Sequence, residues 1–111
     1  MNRCIFCFCR NRFRSIDKYD INLEQLEELK WQGANIIDVS SPKEYKEGHI
    51  DRAISIPEYE LRMRIGKMIE NKDTVIVVYC PSGFRSKRAQ KTLKNMGYKN
   101  VYNLYNGFAK Y

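Results

Sequence analysis

Six consecutive residues, Thr74-Val75-Ile76-Val77-Val78-Tyr79, constrain the fold of this 111-residue chain more than any other stretch. They are rich in β-branched side chains and show no polar alternation after Thr74. That is the pattern of a strand buried on both faces, as in a parallel sheet. A loop, Cys80-Pro81-Ser82-Gly83-Phe84-Arg85, follows directly. Beyond it, Ser86 to Met96 has helical propensity, sets Ala89, Leu93 and Met96 on one stripe, and stops at Gly97. A strand, a tight loop and a helix start form an anion site, because free backbone N–H groups and the helix dipole converge there. A cysteine at that strand end is expected to ionise readily, its thiolate favoured by those donors and by a cation such as Arg85. The chemistry is expected at Cys80.

The remaining pattern surrounds this unit with similar ones. Tyr19-Asp20-Ile21 reads as a short strand. Asn22-Leu23-Glu24-Gln25 is a capping box, opening a helix with Leu23, Leu26, Leu29 and Trp31 that ends at Gly33. Asn35 to Val39 is a second strand. Ser41-Pro42-Lys43-Glu44 is another capping box, with Pro42 at the favoured first helical position, and its short helix stops near Gly48. Ala53 to Ile56 is a third strand, ended by Pro57. Glu58 to Ile69 is helical, with Leu61, Ile65 and Met68 or Ile69 as its core stripe. Asn100 to Leu104 is a fifth strand, and Asn106-Gly107 turns into a short tail. Five strands alternating with four helices predict an α/β domain: a mostly parallel five-stranded sheet flanked by helices on both faces. Ligands in such sheets sit beyond the carboxyl ends of the strands, where Cys80 and Asp38-Val39 both lie.

Charge separates the first 18 residues from the rest. They hold five of the 20 Lys and Arg against Asp17 alone, so +4 of the net +7 sits in this basic leader. Residues 19–111, the expected folded domain, carry only +3 and offer no basic stripe, so no nucleic-acid partner is expected. Cys4, Cys7 and Cys9 crowd the leader, and Cys80 stands alone, unlike an evenly spaced disulfide framework. Cys4-x-x-Cys7-x-Cys9 is half of a metal site without a second ligand pair, so no metal is expected. No spacing rule ties these three thiols to Cys80. The apolar stretches fall far short of the about 18 residues a membrane span requires. Ile5 to Cys9 is too short for a signal-peptide core, and arginines follow it. A cytoplasmic protein with no membrane partner is the expectation.

From Tyr19 to Tyr111 the chain resembles the single-domain rhodaneses, a family of sulfurtransferases. Asp38-Val39-Ser40-x-x-x-Glu44-Tyr45-x-x-Gly48-His49-Ile50, continuing into Ala53-x-x-Ile56-Pro57, is similar to one family signature. Val77-Val78-Tyr79-Cys80-x-x-Gly83-x-Arg85-Ser86 is similar to the active-site loop, and Asn106-Gly107-Phe108 to the closing motif. Departures are Ser40 where arginine is common, Arg52 where glycine is common, and Asn106 where the first closing glycine is common.

The resemblance implies a sulfurtransferase that carries sulfane sulfur on Cys80 as a persulfide. The donor would be thiosulfate or a protein persulfide, the acceptor cyanide or a thiol, and no cofactor is implied. The loop Pro81, Ser82, Gly83, Phe84, Arg85 and Ser86 would bind the anionic sulfur through N–H groups between Ser82 and Ser86. Pro81 has no N–H to offer, and Gly83 permits a positive φ. Arg85 would pair with an anionic donor or help define the loop, and Ser86 would cap the helix and donate to sulfur. Lys87 and Arg88 add positive charge near the mouth that would attract thiosulfate. A buried structural cysteine is the plainer reading of Cys80, but it leaves Gly83 and Arg85 unexplained. His49, Asp38 and Glu44 are expected to be turn and cap groups rather than catalysts, and Tyr45 and Trp31 packing residues.

Two other functions remain open. A cysteine phosphatase or arsenate reductase of related fold has a loop one residue longer; the four residues between Cys80 and Arg85 make a smaller cradle, better fitted to one sulfur than to phosphate. A binding or sulfur-relay module of the same fold is the non-enzymatic alternative.

Overall fold

The computed structural model describes residues 17–108. The expectations for the leader therefore fall, up to residue 16, outside the described residues, as does the end of the tail. The elements run β1 (Asp20–Ile21), α1 (Leu23–Trp31), β2 (Asn35–Asp38), α2 (Pro42–Glu47), β3 (Ile54–Ser55), α3 (Glu58–Met68), β4 (Val75–Tyr79), α4 (Phe84–Asn95) and β5 (Asn100–Leu104). Local chemistry starts the first two helices as expected. Asn22 caps α1 with Gln25 reaching back, and Ser41 caps α2 with Glu44 reaching back, so both capping boxes form.

All strand pairs are parallel, in the order β1-β5-β4-β2-β3. The β-branched run is thus the central strand, and its side chains alternate between two cores. Ile76, Val78 and Cys80 join Leu61 and Ile65 of α3 and Ala89 and Leu93 of α4 on one face. Val77 and Tyr79 join Leu26 of α1 and half-buried Tyr45 of α2 on the other. Each fully buried aliphatic side chain contributes about 1.5–3 kcal/mol, so β4 and its two coats anchor whatever follows Tyr79. Among the described residues, no helix is long and apolar enough to cross a membrane.

Two packing expectations change. Trp31 is 72% exposed rather than packed, with the Arg52 guanidinium 5.0 Å above its ring. Leu23 is also exposed, because the first turn of α1 faces water. Of the two alternatives for the last core position, Ile69, the residue just after α3, is the buried one.

Candidate active site

Parallel register brings the carboxyl ends of β2 and β4 level, with Asp38 opposite Tyr79. Val39 and Cys80 leave the sheet side by side, and the Val39 N–H donates to the Tyr79 carbonyl at 3.0 Å. Cys80 is completely buried, 0% exposed. Its Sγ accepts hydrogen bonds from the Gly83 N–H at 3.0 Å and the Ser86 N–H at 3.3 Å. The thiol in turn faces the Ser86 hydroxyl at 3.5 Å, which donates to the Gly83 carbonyl at 3.2 Å. Two backbone donors therefore converge on one sulfur at the N-terminal end of a 12-residue helix, where the helix dipole adds positive potential.

The helix begins earlier than the sequence pattern suggests. α4 starts at Phe84, with Gly83 as its N-cap in a left-handed conformation, φ +93°. Ser86 is therefore not the cap. It sits inside the first turn, fully buried, where its N–H and hydroxyl meet the sulfur. Of the N–H groups from Ser82 to Ser86, those of Gly83 and Ser86 reach Sγ, whereas that of Phe84 donates to the Ser82 hydroxyl at 3.3 Å. The Phe84 ring points outward and is 65% exposed.

The loop rests on the turn after β5. A Cβ on Gly83 would lie 2.7 Å from the Tyr105 carbonyl oxygen, and one on Gly107 would lie 2.2 Å from that of Pro81. No side chain larger than hydrogen fits either place. The Phe108 N–H closes the contact by donating to the Cys80 carbonyl at 2.9 Å. Gly107 and Phe108 thus form the floor of the loop, a role the sequence hinted at only through the closing motif.

Arg85 is held by a carboxylate. Its guanidinium takes both oxygens of Glu44, at 2.8 and 3.0 Å, tying the loop to α2. This hydrogen-bonded pair, with the Ser41 N–H on the same carboxylate, holds the Glu44 carboxyl down to about 2. Glu44 also raises the Arg85 pKa, and charge on Cys80 adds to that effect. Lys87 and Arg88, expected to attract a small anion, are likewise paired. Lys87 takes both oxygens of Asp20, at 2.9 and 3.0 Å, and Arg88 takes both of Glu58, at 2.9 Å each.

The remaining candidates are engaged in hydrogen bonds and ring stacking. Asp38 is buried and accepts from the Ser40 N–H at 2.9 Å and from the Ser40 hydroxyl. His49 Nδ1 lies 2.8 Å from the Tyr45 carbonyl oxygen, and its ring stacks on that of Tyr45 at 3.7 Å. Tyr45 itself donates to the Ala53 carbonyl at 2.7 Å. The Tyr79 hydroxyl accepts from the Ile50 N–H at 2.9 Å, and burial, with Asp38 nearby, pushes its ionisation far upward. Among the described residues no cluster of three His, Cys, Asp or Glu could hold a metal.

The chain is similar to known proteins over most of its length. The family profile described as "Rhodanese-like domain" matches residues 22–111. The chain is 39% identical over 67 residues to thiosulfate sulfurtransferase PspE of Escherichia coli, covering 60% of this chain and 64% of that one. It is 35% identical over 82 residues to the tRNA uridine(34) hydroxylase of Sodalis glossinidius, covering 70% of this chain and 23% of the relative. It therefore spans less than two thirds of the length of these relatives. The solved structure of "rhodanese with anions from E. coli" superposes with a TM-score of 0.62 at 32% identity, covering 70% of this chain and 95% of that one.

Proposed function

The chain belongs to the rhodanese-like domain family, and from that premise we propose that it is a sulfurtransferase with Cys80 as the sulfur carrier. The observation that carries this reading is a single sulfur seated under two backbone N–H groups at the carboxyl end of the central strand. In the first half-reaction the Cys80 thiolate attacks the outer sulfur of thiosulfate. The donor S–S bond breaks, sulfite leaves with the bonding pair, and Cys80 holds a persulfide. In the second, cyanide or a thiolate attacks the terminal sulfur, and the electron pair of the broken bond returns to Cys80. Both steps balance in atoms and electrons without a further reagent.

Negative charge stays on sulfur in both states. The Gly83 and Ser86 N–H groups meet that charge with little reorganisation, and the Ser86 hydroxyl adds a third donor by turning from the Gly83 carbonyl. The half-buried floor supplied by Gly107 and Phe108 keeps the donors aimed. A persulfide carrier of this kind belongs in a reducing compartment such as the cytoplasm.

Intact-protein mass spectrometry tests the assignment. After incubation with thiosulfate the protein gains the mass of one sulfur atom. Cyanide removes it with release of thiocyanate, and Cys80→Ser takes up none. Labelling of Cys80→Ser to the wild-type level overturns the role of Cys80. Absence of both label and thiocyanate favours a binding module, and turnover of an aryl phosphate favours the phosphatase.

A further inference from the structure

Although residues 19–111 carry only +3 overall and no basic stripe is expected in them, the sulfur chemistry leaves one locally basic surface unused. α4 carries Arg85, Lys87, Arg88, Lys91 and Lys94 and not one acidic residue. Between this helix and the segment at Asp17 runs a groove of about 370 Å³, lined among others by Lys87, Arg88, Lys91 and Lys94. The three cations nearest the loop are each closed on a carboxylate: Arg85 on Glu44, Lys87 on Asp20 and Arg88 on Glu58. That arrangement suits a free dianion poorly, because each guanidinium or ammonium must break an existing pair to receive it. Farther along the helix, Lys91 is exposed, and Lys94 lies with its Nζ 3.8 Å above the Tyr19 ring.

We propose that this groove is the docking site for an acidic surface of a second protein that exchanges sulfur with Cys80. The proposal rests on the sulfurtransferase reading and names its partner class. The groove runs along the helix whose first turn holds the sulfur, so a partner lying on it brings its own thiol towards the loop. Phe84, 65% exposed at the start of α4, adds an apolar contact of the kind found at interface centres. The first 16 residues carry four arginines and no carboxylate side chain, so their charge does not complement the groove. Lysine stems together with the carboxylate of Asp17 favour a protein surface over a phosphodiester backbone, which is denser in charge and better matched by arginine forks.

In the exchange, the partner's thiolate attacks the terminal sulfur of the Cys80 persulfide. The bond from that sulfur to Cys80 breaks as the new S–S bond forms, the electron pair returns to Cys80, and the partner leaves as a persulfide.

Two synthetic peptides test the proposal, one of alternating glutamate and serine and one of alternating lysine and serine, each ending in a single cysteine. Binding to the full chain is read by fluorescence anisotropy, and discharge of the thiosulfate-loaded protein is read by mass with cyanide as internal reference. At low salt the acidic peptide is expected to bind and to discharge the persulfide about tenfold faster than the basic one. In the double variant Lys91→Glu, Lys94→Glu, and in salt of about 1 M, that preference falls toward one. Equal rates with the two peptides overturn the proposal, as does a preference that survives the double variant. A single-stranded oligonucleotide that binds more tightly than the acidic peptide at the same salt also overturns it, in favour of a nucleic acid. If no persulfide forms, the sulfurtransferase reading fails by itself, and anisotropy still decides whether the groove binds the acidic peptide.

Discussion

Glu44 closes the helix cap of α2 and clasps Arg85 across 41 residues of sequence. Its carboxyl lies at about 2, against an ordinary value of 4.5, because the ionised form holds these bonds and the protonated form gives up the charge. A depressed carboxyl stabilises the fold in full above its unfolded value, and the contribution is lost as pH falls towards the folded one. Glu44→Gln is therefore expected to cost about 1–2 kcal/mol at neutral pH. The gap between wild type and variant closes as pH drops from about 5 to 2. Urea unfolding of both proteins across that range measures it. A gap that stays constant down to the acid end places the loss elsewhere, in the cap geometry. This partnership was hidden in the sequence, where Glu44 is fully accounted for as a capping residue. The same holds for Lys87 with Asp20 and Arg88 with Glu58: charge pairs between distant elements leave no local trace.

At the scale of elements, what was legible is what a short window contains. The β-branched run of β4 and the capping boxes of α1 and α2 specify their own conformation, and the elements appear where the pattern puts them. The start of α4 was legible only in part. Gly83 signals a turn, but that Phe84 already belongs to the helix depends on the contact of the loop with Tyr105 and Gly107 beyond β5. That contact makes a sharp expectation. Gly83→Ala combines a positive φ with a Cβ 2.7 Å from a carbonyl oxygen, and neither can relax alone. It is expected to destabilise by about 1–3 kcal/mol. By moving the Gly83 N–H off the sulfur, it should also slow loading from thiosulfate on the order of tenfold. Denaturant melts and the rate of mass gain report the two effects. A variant that melts early but loads at the wild-type rate separates the loop's stability from its chemistry.

For the whole molecule, the site depends on two cores that share one strand. Leu93 is fully buried between α4 and β4, whereas Met63 is 82% exposed on α3. Leu93→Ala is expected to cost about 2–5 kcal/mol through the cavity it leaves. Met63→Ala should stay within about 0.5 kcal/mol. Equal urea midpoints for the two would mean that the packing around α4 is not what holds the helix in place. Sheet order is the largest feature that the sequence left unread. Parallel pairing follows from the alternation of strands and helices, but the placement of β4 between β5 and β2 arises from how the layers bury their faces together. Trp31 shows the same dependence at the surface: an aromatic at helical spacing reads as core, and in the fold its ring is exposed beside the Arg52 guanidinium.

The complete burial of Cys80 bears on timing. A sulfur with no surface in the resting state offers nothing to a reagent until the loop moves away from it, and that opening is the same event whatever waits outside. Iodoacetamide and thiosulfate differ widely in intrinsic reactivity, yet at rising concentration both rates should level off at one shared ceiling, the opening rate itself. Stopped reactions read by mass would show two curves of different slope meeting a common plateau. Two plateaus at different heights would mean that each reagent has its own way in.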